Sequence, residues 1–125
     1  MKNKNIILLI IYILSLIFMI LNISINFFYV FAFLLISITA FYGFSGENEV
    51  WYHKSAHIMV SSLLGIFTMA YELLGILFSL ISSELSNIKP NIYVIIFGII
   101  SIVIFIEELN YLKKIEQEAK RKKSL

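Results

Sequence analysis

Four long apolar runs, parted by short polar interruptions, set the pattern of this chain. They cover residues 6–25, 27–44, 58–81 and 91–106. A hydrocarbon layer about 30 Å thick is crossed by roughly 20 mostly apolar residues in an α-helix. Within lipid every backbone N–H and C=O must be paired inside its own segment, a condition that helices meet. Membrane barrel strands alternate in polarity over about 10 residues, whereas these runs are continuously apolar. The pattern therefore predicts an all-α fold of four transmembrane helices in one domain spanning residues 1–125. Residues 107–125, charged and helical in periodicity, form a tail.

Only Asn22, Ile23, Ser24, Ile25 and Asn26 separate the first two runs. A connection this short folds two helices back on one another, and asparagine side chains bond nearby backbone in turns. One long element lying partly in the interface is the competing reading. The last two runs are parted by a polar stretch ending in Pro90, a residue suited to the first turn of a helix. The expected topology is thus two antiparallel hairpins. Lys2, Lys4, Lys54, Lys113, Lys114, Lys120, Arg121, Lys122 and Lys123 then share one side, against Lys89 on the other. That bias puts both termini in the cytoplasm and the protein in the plasma membrane as a multi-pass chain. The basic start has the outline of a signal peptide, but no A-x-A-like cleavage site follows, so a retained first helix is expected.

Composition narrows the class. The chain has 125 residues, 60% hydrophobic and 14% charged, against about 25% charged in a soluble domain. Isoleucine supplies 25 residues, and there is neither Asp nor Cys. So much apolar surface needs a lipid bilayer as its first partner. An ordinary soluble enzyme, a disordered chain and a disulfide scaffold are excluded. A net charge of +2 and one short basic cluster argue against nucleic acid. The Ile- and Lys-rich, Arg-poor usage fits an AT-rich bacterial genome.

The third run carries the most information. Ser61, Gly65, Thr68, Glu72, Gly75, Ser79 and Ser82 recur at spacings of 4, 3, 4, 3, 4 and 3. That alternation lines one side of a helix with small and polar groups, the seam of a closely packed helix pair. Glu72 lies in this seam, about 21 Å along the helix from Ile58, which predicts a position near mid-bilayer. An acidic group there costs about 2.5–3.5 kcal/mol, so it should face protein. With no basic residue in any run, desolvation favours its neutral form. Ser15, Ser37, Thr39 and Ser101 are the expected hydrogen-bonding partners. Glu72 is either a proton or cation site or an acid that fixes helix register.

Before the third run, Glu49, His53 and His57 are spaced by four, and a His pair at i and i+4 can chelate a transition metal. No HExxH pattern accompanies them, and Trp51 and Tyr52 read as interface anchors, so the expected cofactor is none. Glu47, Glu49, Lys54 and Ala56, leading into the third span, resemble the acidic loop of a group of small uncharacterised four-span prokaryotic membrane proteins. Asn48 and Val50 stand where that pattern has Arg, and Ser55 parts Lys54 from Ala56. This resemblance implies the architecture and no activity.

In the tail, Leu109, Leu112, Ile115 and Ala119 make a thin apolar stripe, and Glu116–Lys120 and Glu118–Lys122 are favourable pairs. No nucleophile triad, phosphate loop or cofactor motif is present. The expected function is that of an accessory, regulatory or immunity-type membrane protein acting through helix contacts, and not an enzyme. The alternative is a proton- or cation-coupled carrier working as a dimer, with Glu72 titrating. In size and single buried acid the chain is similar to the small multidrug resistance transporters, although their acid lies in the first span. A homodimer or a membrane-protein partner suits either reading.

Overall fold

The computed structural model describes residues 4–44, 52–82 and 90–124. Four helices fill them: α1 (Lys4–Asn22), α2 (Phe27–Tyr42), α3 (His53–Ile81) and α4 (Ile92–Ser124). No strand occurs among the described residues. Three of the helices, α1, α3 and α4, are long and apolar enough to cross a membrane, while α2 has 16 residues. Glu47, Glu49 and Trp51 lie outside the described residues.

Local chemistry explains the ends. After α1, Ile25 and Asn26 donate their backbone N–H groups to Asn22 O at 3.1 and 2.9 Å, closing the turn. Asn26, extended at φ −151°, caps α2, its side chain accepting from Phe28 N at 3.0 Å. Helix α3 begins at His53, five residues before the apolar run, where Lys54 finds a partner in the bundle and Ser55 is withdrawn from solvent. Lys54 Nζ donates to Asn5 Oδ1 at 2.7 Å, and Ser55 is buried. The tail is no separate element: α4 continues through it unbroken.

Aromatic rings fill the centre. Phe18, Phe33 and Phe97, from α1, α2 and α4, pack with centroids 5.1–5.9 Å apart, and the Phe33–Phe97 and Phe18–Phe97 pairs stand edge to face. Leu8, Ile11, Ile36, Ala40, Ile58 and Val94 complete the buried apolar core. Across α3 and α4 the backbones approach closely. A Cβ on Gly65 would meet Phe97 Cε1 at 2.7 Å and Ser101 Oγ nearer still, and Gly98 abuts the side chain of Met69. Small residues permit that approach.

Candidate functional site

Two polar clusters close the bundle, one at each end. At the first end Lys4 donates to both carboxylate oxygens of Glu108, at 2.6 and 2.7 Å, and its Nζ stands 3.6 Å from the centre of the Tyr111 ring. Glu108 is 1% exposed. This pair links the start of α1 to α4. On the same side His57 Nδ1 donates to Thr39 O at 2.8 Å, and His53 Nε2 to Tyr42 O at 3.3 Å.

At the opposite end four helices converge on Glu72. Tyr29, in the first turn of α2, donates its hydroxyl to Glu72 Oε2. The backbone N–H of Asn91, just before α4, donates to Glu72 Oε1 at 2.9 Å. Asn91 Nδ2 donates to Asn22 Oδ1 at 2.6 Å, and Asn22 Nδ2 to Phe18 O at 2.7 Å. Asn91 Oδ1 accepts from Val94 N at 3.3 Å, so Asn91 caps α4 while reaching α1. Both contacts to Glu72 are donors, and the start of a helix carries partial positive charge; the surroundings suit an acid. Tyr29, Asn22 and Asn91 are buried, and Glu72 is half-buried.

The position of Glu72 within the bundle departs from expectation. Its partners are Tyr29 in the first turn of α2 and Asn91, the residue preceding α4, and Asn91 in turn holds Asn22 at the last residue of α1, so Glu72 lies at an end and not midway. Counting from Ile58 misplaced it because α3 starts earlier and runs on past its neighbours. Its partners differ too. Ser15, Ser37 and Thr39 donate to carbonyls of their own helices, Tyr12 O, Leu34 O and Leu35 O, each at 2.8 Å. Ser101 lies instead beside Gly65.

The seam on α3 divides in two. Ser61, Gly65 and Thr68 are buried within the bundle. Beyond Glu72 the same face opens: Gly75 and Ser82 are exposed, and among the described residues a Cβ on Gly75 would meet nothing within 4 Å. The sequence reading also missed Gly98, the α4 counterpart of Gly65. As for metal, the His53 and His57 rings lie 4.6 Å apart, and Glu49 is outside the described residues. Among the described residues no three His, Cys, Asp or Glu side chains gather as ligands.

Tyr29, Asn22, Asn91 and the Lys4–Glu108 pair were not singled out from sequence as members of these clusters. Asn91 after Pro90 carried a usable signal, since Asn is a favoured helix cap. No protein-family model matches the chain, and comparison with curated proteins and solved structures gives no match.

Proposed function

We propose that this chain is a multi-pass protein of a bacterial plasma membrane, threaded as two antiparallel hairpins with both termini in the cytoplasm. It acts through helix contacts, as an accessory, regulatory or immunity-type subunit. The dimensions of the bundle support the threading. Lys4 and Asn22 are 18 residues apart on α1, a rise of about 27 Å, close to the hydrocarbon thickness of a bilayer. The two polar clusters then sit near the two faces of the membrane, with the basic tail on the cytoplasmic side.

The observation that carries the contact role is the open half of the α3 seam. Gly75, Ser79 and Ser82 continue a packing face past the bundle, among the exposed Leu74, Leu77, Phe78 and Ile81. A partner helix of this chain or another fits against such a face. Cysteine cross-linking at Ser79 in native membranes tests it. A discrete adduct that Gly75→Leu abolishes is expected; only monomer at Ser79, with unchanged physiology on deletion, overturns the reading.

A second reading, cation- or proton-coupled transport, is favoured by one feature: Glu72 is half-buried and not sealed. Glu72→Gln keeps the shape but cannot titrate. Loss of coupled ion movement in proteoliposomes, with assembly intact, supports transport; unchanged behaviour excludes it.

A further inference from the structure

The start of α3 brings two histidines against the last turn of α2. His57 Nδ1 donates to Thr39 O at 2.8 Å, and His53 Nε2 to Tyr42 O at 3.3 Å. Thr39 and Tyr42 are three residues apart on one helix, so both rings are held by carbonyls of the same turn. Lys54, between the histidines in sequence, is committed elsewhere: its Nζ donates to Asn5 Oδ1 at 2.7 Å and to Gly43 O at 3.4 Å.

A carbonyl only accepts, so the ring nitrogen facing it carries the proton. In a neutral imidazole the other nitrogen then presents a lone pair. These nitrogens are Nδ1 of His53 and Nε2 of His57. An N–H fixed on a backbone carbonyl is how a metal-binding histidine is prepared, because it sets both the tautomer and the ring orientation.

The spacing agrees. The ring centres of His53 and His57 are 4.6 Å apart, with their planes at 59°. A metal–imidazole bond is about 2.0–2.1 Å long and the ring centre lies about 1.1 Å behind the nitrogen, so two rings meeting a metal at a right angle have centres about 4.5 Å apart. Donors at a right angle suit the tetragonal geometry of divalent copper or nickel, and copper(II) heads the affinity order of the divalent first-row metals. The last carbonyls of α2 add partial negative charge, which favours a cation at this place. Both histidines are half-buried, so an ion can reach them.

We propose that His53 and His57 form a two-histidine site for divalent copper or nickel where the start of α3 meets the end of α2. His53 Nδ1 and His57 Nε2 are its protein ligands, and water fills the remaining positions. Thr39 O and Tyr42 O hold the rings in place. A site with open positions exchanges its metal, whereas a purely structural centre is closed by protein ligands. The inference needs only the contact of α2 with α3, and it stands apart from the membrane threading.

The test titrates the full chain, in detergent micelles at neutral pH, with copper(II) alone. One ion per chain is expected, and pulsed electron paramagnetic resonance should show two imidazoles on the metal. His53→Gln and His57→Gln each remove one ligand but keep an amide N–H for the α2 carbonyl, and circular dichroism verifies that helix content is retained. Each variant should bind about tenfold more weakly or worse, since the second ligand acts as a tethered, intramolecular one, and should show a single imidazole. Failure of the wild type to saturate at one ion per chain overturns the proposal. So does an affinity or a two-imidazole spectrum that either variant leaves intact, and so does a single ion shared between two chains.

Discussion

The backbone N–H of Asn91 donates to Oε1 of Glu72 at 2.9 Å, so a carboxyl group on α3 closes the start of α4. The donor would otherwise lack a partner, since the first N–H groups of a helix have none within it. Tyr29 adds α2 to the same acid. Replacement of Glu72 by Leu strands both donors, and an unsatisfied donor costs about 1–3 kcal/mol. Glu72→Gln should cost under about 1 kcal/mol, because the amide keeps an acceptor for Asn91 and the tyrosine hydroxyl can rotate to accept. Equilibrium unfolding in mixed micelles distinguishes the two variants.

A different balance governs Lys4 and Glu108. Here both charges are largely withdrawn from solvent, at 12% and 1% exposure. Removing one partner of such a pair leaves an unanswered charge and costs about 3–5 kcal/mol. Lys4→Met should therefore destabilise strongly, whereas Lys4→Met/Glu108→Met recovers most of the loss. A double-mutant cycle on unfolding free energies measures the coupling.

Gly65 and Gly75 occupy the same face of α3 yet should respond oppositely to bulk. Gly65→Leu drives a side chain into Phe97 and Ser101, and overpacking of this kind costs about 1–3 kcal/mol. A Cβ on Gly75 has no described neighbour within 4 Å, and Gly75→Leu should leave monomer stability within about 0.5 kcal/mol. Thermal melts of the two purified variants provide the comparison.

Asn91 serves two bonds that substitution can part. Asn91→Ala removes the cap on Val94 and the contact to Asn22, with loss of the cap alone worth about 1 kcal/mol. Asn91→Ser keeps a capping oxygen and gives up only the reach to Asn22. The gap between their unfolding midpoints isolates the bond joining α1 to α4.

Much of the architecture was legible because it is written locally. Apolar runs, the asparagines of the first turn and the Glu116–Lys120 pair, found at 3.3 Å, all depend on residues close in sequence. The spacing of 4 and 3 along α3 is likewise a property of one helix. Glu72 was found as a singular acid, but its partners were not. Tyr29 is 43 residues away and read only as one aromatic in an aromatic-rich run, and Lys4 finds Glu108 across 104 residues. Such meetings depend on how far each helix slides past its neighbours. Composition carries no trace of that offset, and it is the same offset that moved Glu72 from the expected middle to an end.

The lengths of adjacent helices differ sharply: 16 residues in α2 and 29 in α3, heights of about 24 and 44 Å. Set in a bilayer, neighbouring sides of one small protein would ask for thin lipid along α2 and thick lipid along α3. Such mismatch is relieved by tilt, by puckering of the leaflet or by clustering, at fractions of a kcal/mol per Å. The molecule would thus bend its own surroundings and draw toward boundaries where membrane thickness changes.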